Sequence, residues 1–442
     1  MIQFTHSSAI LLPPPPPSFH HNDLINPNHQ LLHRASRPWT ASAAKFHGSC
    51  FTAAGCMEEL LVHCADAIEA NDDTLAQQLL WVLNNLAPHD GDCNQRLTAA
   101  FLRALIVRAS KIGSFDLLTP TFASSTSLHL HRFSAVDLAS FIDLTPWHRF
   151  GYTAANAAIV DAVEGFQIVH IVDLSTTHCM QIPTLIDMLA NRPEGPPFIR
   201  LTVATTTSTT SPPPMLDLSY QELGAKLVNF ARSRNIVMEF TTIPSSPTDA
   251  FVSLIEQLRV QRLVSEGEAL IVNCQMMLHY IPDETAGVIT RSMFLKSVRS
   301  LEPNLVTVVD EDADFTADDV LVRLRSAFNY LWIAYDAIDA FLPRESERRR
   351  WYEAGIGWRI ENVIAHEGLQ RVERVESKGR WAQRMRGAGF RAVEFGEEAV
   401  GEVKTLVDEH ARGWGVRKGD QEDLVLTWKG HHVVFASAWV PS

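Results

Sequence analysis

The chain has 442 residues, 46% of them hydrophobic and 20% charged, which is too long for one average domain and too apolar for disorder throughout. Lys and Arg number 38 against 51 Asp and Glu, a net charge of −13, so no whole-molecule positive field draws the chain to nucleic acid or an anionic membrane. No apolar run reaches the roughly 18 residues of a membrane helix, and six scattered cysteines without a CxxC pair point to a reducing compartment, not to a disulfide framework or structural zinc.

Residues 1–56 carry the run Pro13–Pro17, many His, Ser and Asn, and a single acid, Asp23. A proline run is a stiff spacer that builds no core, and this stretch reads as a disordered arm. From Met57 the pattern turns helical. Leu75, Leu79, Val82, Leu83 and Leu86 recur at three- and four-residue spacing behind the capping run Asn71–Thr74. That stripe has two readings, a dimer seam or burial against helices of the same chain. Burial is preferred, because a seam needs three or four unbroken heptads. A second stripe follows at Leu97, Ala100, Phe101, Ala104, Leu105 and Arg108; Ser134-x-x-Asp137 has the form of a capping box, and a helix over 146–163 stops near Gly165.

At Phe166 the period changes. Ile168–Val172 is a continuous β-branched run of the kind buried on both faces of a parallel sheet. Similar runs recur at 198–203, 236–240, 269–274 and 305–310, separated by helix-length segments at 182–190, 220–232, 252–264 and 285–301. This alternation predicts an α/β fold, a methyltransferase-like doubly wound, mostly parallel sheet. Residues 57–165 supply a mainly helical cap and 166–442 the α/β core, with a helical insertion around 316–390. The runs Leu424–Trp428 and Val433–Trp439 predict a terminal antiparallel hairpin on the sheet edge.

A methyltransferase would hold its cofactor against the loop after the first strand, where glycines admit the backbone, with an acid at the end of the second strand for the ribose. Here Asp173 leads into Leu174–Gln181, which has no glycine, and the second strand runs through Ala204 into Thr205. Catalysis is therefore not expected, and no cofactor or metal. His178-Cys179 has no second pair at ligand spacing, and His431-His432 falls in a turn.

Positive charge is local. Residues 344–391 hold twelve Arg and Lys against seven Glu, a surplus of five. Gathered on one face, Arg371, Arg374, Arg380, Arg384 and Arg386 would contact DNA phosphates. The alternative is a helix laced with ion pairs, such as Glu345 with Arg349 and Glu347 with Arg350.

Taken in order, several motifs resemble the plant GRAS family in its scarecrow-like branch. They are Leu60-Leu61-x-x-Cys64-Ala65; Val169-His170-Ile171-Val172-Asp173, with Val in the fourth place; Arg192-Pro193-x-Gly195; Leu278-His279; Arg371-Val372-Glu373-Arg374; and Ser437-Ala438-Trp439. The resemblance covers residues 57–442. It implies a nuclear regulator of transcription, a helical cap on a methyltransferase-like core, and partners among other transcription factors or GRAS-type proteins. Direct DNA contact and a homodimer are further implications; a membrane is not. The alternative is a small-molecule-binding or methyltransferase-like enzyme on the same core. The segment after Asp173 lacks the Gln-Gly pair of many members, and the arm lacks the Asp-Glu-Leu-Leu-Ala signature of the gibberellin-responsive branch.

Overall fold

The computed structural model describes residues 50–112, 130–205, 212–262, 267–283 and 291–442, with side chains from 55 onward. Most of the arm read as disordered lies outside the described residues. The first helix, α1 (Cys50–Glu69), nevertheless begins inside it.

The cap is helical. α2 (Asp73–Leu86) starts where Asp72 accepts a hydrogen bond from the Leu75 amide, and α3 (Cys93–Ile112) buries the predicted Leu97–Arg108 stripe. The α2 stripe is a correction. Ala76, Leu80 and Leu83 are its buried face, whereas Leu75 and Leu86 are 43% and 41% exposed. Small Ala76 lets α2 approach α3 about one position round from where the leucines alone would place the contact. α4 (Ala135–Ile142) opens on the Ser134 hydroxyl, which receives the Asp137 amide and donates to its carboxylate. α5 (Pro146–Ala162) has Pro at its first position, Thr145 as cap and Gly165 left-handed just beyond it.

The core is a nine-stranded sheet. Five parallel strands, β1 (Ile168–Ser175), β2 (Phe198–Thr205), β3 (Met238–Pro244), β4 (Glu268–Gln275) and β5 (Leu305–Glu311), lie in the order 3-2-1-4-5. This is the doubly wound arrangement predicted, with its switch point between β1 and β4. α6 (Ile182–Ala190) and α7 (Tyr220–Ser233) cover one face with α5; α8 (Val252–Arg262) and α9 (Arg291–Arg299) cover the other. Alternation along the strands divides the core, Val169 and Ile171 facing α5 while Val172 and Leu174 face α8 and α9. Gly151 lets α5 lie directly on the sheet, since a Cβ there would stand 2.4 Å from Val309.

The remaining elements are α10 (Val320–Asp339), α11 (Glu347–Ala365), α12 (Lys378–Gly387), β6 (Phe390–Val393), α13 (Glu397–Asp408), β7 (Trp414–Lys418), β8 (Leu424–Trp428) and β9 (His431–Pro441). α10 and α11 pack with α3 to complete the cap, and cap and core side chains belong to one continuous apolar cluster. The hairpin β8–β9 turns on Lys429-Gly430, both with positive φ as a two-residue type I′ turn requires. It is not at the edge, which is the second correction. β9 runs antiparallel beside β5, β6 pairs with its far end, and β7 is the outer strand. Gly415, Arg417 and Lys418, with Gly413 just before them, keep β7 from standing out as a strand.

Candidate functional site

Charged side chains lie within the apolar strand runs, one group toward the amino ends of β1 and β4 and another at the carboxyl end of β5, where Arg359 of α11 reaches Glu311. His170 is buried on β1, with Nε2 2.8 Å from the Thr202 hydroxyl and Nδ1 3.2 Å from Glu268. It ties three strands together. Three positions on, the Asp173 carboxylate accepts from Asn273 Nδ2 at 2.7 Å and from the Ser175 hydroxyl at 2.6 Å. Burial pushes this carboxyl up, and the two hydrogen bonds pull it part of the way back. Asn273 also donates to Gln181, which donates to Asn156 on α5, so the Asp173 side chain belongs to an internal polar chain.

The turn after β1 is made without glycine, His178 and Cys179 both taking positive φ. Each such residue costs about 1–2 kcal/mol. The Ser175 hydroxyl receives the Cys179 amide and His178 Nε2 lies 3.1 Å from the Pro214 carbonyl. Burial raises the Cys179 thiol far above its usual range, leaving it inert.

Around residues 371–376 the charges are buried and matched. Arg359 on α11 donates to both oxygens of Glu311, at 2.8 Å for Nη1–Oε1, and through Nε to Glu373 at 3.3 Å. Burial alone would lower this guanidinium's pKa, but the two carboxylates outweigh it and hold it well above the ordinary value. His279 Nδ1 is 2.8 Å from Asp310 and its Nε2 3.7 Å from Glu373. Burial opposes its charge, the carboxylates favour it, and the net shift is upward. Tyr280 donates to Glu373 at 2.7 Å. Arg374 pairs with Asp283; Glu376 takes Arg291 at 3.1 Å and both arms of Arg384 at 2.7 Å. Asp310, Glu311, Arg291 and Arg359 were not singled out in the sequence. The available signal was Asp310-Glu311 closing the apolar strand Leu305–Val309, an acid pair that needs buried cations.

The five candidate DNA arginines do not form one surface. Arg371 and Arg374 are 2% and 3% exposed. Arg371 donates to the Phe315 and Ala317 carbonyls, and burial beside Arg323 and Arg374 lowers it to about 10, still charged at neutral pH. Arg384 is spent on Glu376. Arg380, beside Thr316 and Asp314, and Arg386, over the Trp439 ring, remain exposed. One pair named for the helix-lacing alternative is corrected, since Arg349 is buried and pairs with Asp339 instead of Glu345. Arg344, Arg348 and Arg350 are exposed beside Glu345 and Glu347. The terminal motif is also internal. The Ser437 hydroxyl donates to the Val308 carbonyl and accepts from Trp439 Nε1 at 2.9 Å, with Ala438 buried between them.

Above the charged cluster lies a cavity of about 110 Å³ between the strand ends and the cap. Trp147, Trp351, Tyr352, Phe133 and Phe141 form its walls, and His279, Glu311 and Arg359 lie along its polar side. S-adenosylmethionine does not fit the residues present: the glycine-free turn spends its polar groups on itself, Asp173 is internally bonded, and β2 ends in Ala204 and Thr205. A doubly wound, methyltransferase-like core under a helical cap, with its motif residues turned inward, is the class of fold these observations define. The GRAS domain family model matches residues 57–440. The chain belongs to the GRAS domain family, whose plant relatives are named as regulatory proteins and not as enzymes. It is 57% identical to Scarecrow-like protein 32 of Arabidopsis thaliana, over 87% of this chain and 93% of that one. Identity to Protein SHORT-ROOT of Arabidopsis thaliana is 31%, over 87% and 73% respectively. The crystal structure of SCL7 in Oryza sativa superposes with a TM-score of 0.69 at 25% identity, covering 87% of this chain and 99% of that one.

Proposed function

We propose that this plant GRAS regulator acts in the nucleus on transcription, through other transcription factors or GRAS-type proteins, with DNA reached chiefly through those partners. The observation that carries the reading is the inward placement of the motif residues. Asp173, Arg371, Glu373, Arg374 and Trp439 are all at most 3% exposed and bonded within the chain. They build a rigid frame, and such a frame offers its surface to partners. Family membership supports the nuclear and transcriptional parts of the reading. The −13 charge, the burial of Arg371 and Arg374 and the pairing of Arg384 with Glu376 weigh against strong unaided DNA binding. A homodimer is one form the protein contact would take. The test is a fluorescent fusion in plant cells together with tethering to a reporter promoter through a foreign DNA-binding domain. Nuclear signal and a changed reporter output are expected. Cytoplasmic retention with no reporter response would overturn the reading.

A further inference from the structure

We propose that the cavity beneath the cap is a binding site for a neutral, one-ring aromatic molecule carrying a carbonyl oxygen. Size sets the first limit. A dry cavity of about 150 Å³ takes benzene, so about 110 Å³ admits a single ring with a small substituent. The walls set the second. Trp351 is already stacked by His131, ring centroids 3.9 Å apart and planes 12° from parallel, and with Trp147 and Tyr352 it offers faces and edges to a planar guest.

The polar side decides the substituent. Glu311 is engaged as an acceptor, taking Trp147 Nε1 at 3.1 Å and the Arg359 fork. The guanidinium keeps its outer N–H bonds beyond that fork. His279 lies between Asp310 on Nδ1 and Glu373 3.7 Å from Nε2, an arrangement that holds a second ring proton, and its buried Nε2 has no hydrogen-bond partner. Asp310 Oδ2 is also unpartnered but Asp310 does not line the cavity, so the unmet capacity of the lining residues is donor capacity, and the complement is a carbonyl oxygen. A ligand carboxylate would add a fourth anion to Asp310, Glu311 and Glu373. A ligand ammonium would compete with Arg359 for Glu311. Burying either charge without its own partner is costly, which leaves the neutral carbonyl.

The test uses the full chain and three one-ring probes of similar shape: benzamide, benzoate and benzylammonium, followed by saturation-transfer NMR. Benzamide should bind at a single site at least tenfold more tightly than either ion. Gly355 lines the cavity from α11, and a Cβ there meets nothing within 4 Å. Gly355→Leu should therefore fold and weaken benzamide at least tenfold; Ala334→Leu, entering from α10, is a second filling variant. No transfer from benzamide would overturn the proposal. So would equal binding of the ions, or binding unchanged in both filled variants.

Discussion

Arg359, near the end of a cap helix, grips Glu311, at the end of a core strand, through both guanidinium arms. The two side chains are 17% and 5% exposed, and Glu373 adds a second carboxylate at 3.3 Å. The contact joins the cap to the sheet where the cap helices leave the core. Removing one member of such a pair strands a buried charge, which typically costs 3–5 kcal/mol. Arg359→Met should lose about that much in urea unfolding. Arg359→Met/Glu311→Gln should recover part of it, because only Glu373 then loses a cation, keeping His279 at 3.7 Å. A single variant within 1 kcal/mol of wild type would show that the pair holds nothing together.

Two histidines near the cavity should bend the stability profile in opposite directions. Burial, helped by Arg359, pushes His148 down to about 4, so between there and the ordinary value near 6.5 the unfolded chain binds a proton that the folded one refuses. Its contribution is present above 6.5 and lost as pH falls, at up to about 1.4 kcal/mol per pH unit. His279 is shifted upward, so its contribution is complete below 6.5 and lost as pH rises through its folded value. Unfolding measured from pH 4 to 8 should show a flatter acid limb in His148→Phe and a flatter alkaline limb in His279→Gln. Parallel curves for wild type and both variants would contradict this.

The buried and exposed leucines of α2 separate in the same assay. Leu83 is fully buried and Leu75 is 43% exposed, although both belong to the sequence stripe. Leu83→Ala should cost roughly 2–4 kcal/mol, whereas Leu75→Ala should stay within about 0.5 kcal/mol. Equal costs would mean that the helix is turned about its axis relative to the arrangement described.

What was legible in the sequence followed from period. Ile168–Val172 announces a strand buried on both faces, and the repeat of such runs between helices points to a mostly parallel sheet; the order of its strands is set by tertiary pairing. The α2 face was misjudged because its contact is made by Ala76, whose small size carries little hydrophobic signal. β9 was placed at an edge because pairing order beyond a hairpin depends on tertiary contacts, and its partner β5 lies about 130 residues away in the chain. The charged cluster shows the same limit. Arg371, Glu373 and Arg374 are adjacent in sequence, and on that basis they look like a basic surface. Their partners Tyr280 and Asp283, about 90 residues earlier, come within reach only when the sheet folds.

The interior position of β9 changes what its removal should do. It is hydrogen-bonded to β5, β6 and β8, and Trp439 is 1% exposed. Deleting 434–442 would expose β5 and leave β8 without its neighbour, so aggregation is expected, not a selective loss of partner binding. Trp439→Ala, which keeps the strand, should cost about 3–5 kcal/mol. A soluble truncation with a cooperative melt would contradict the placement of β9.

The arginines give the sharpest test of how the protein meets DNA. Each phosphate contact contributes about 0.9 to the log–log salt slope. Arg380 and Arg386 are exposed; Arg371, Arg374 and Arg384 are held by carbonyls and carboxylates inside the fold. Freeing Arg384 would leave Glu376, 1% exposed, with Arg291 as its remaining cation. Arg384→Ala should therefore lower stability, and Arg380→Ala/Arg386→Ala should leave the melt unchanged. In a salt titration of purified protein on promoter DNA, wild-type binding should be weak near physiological salt. The double variant should shift the slope by no more than about 1.8, the share of two contacts. Nanomolar binding abolished by Arg380→Ala/Arg386→Ala, with the melt intact, would establish a direct interface on that helix and overturn recruitment through partners.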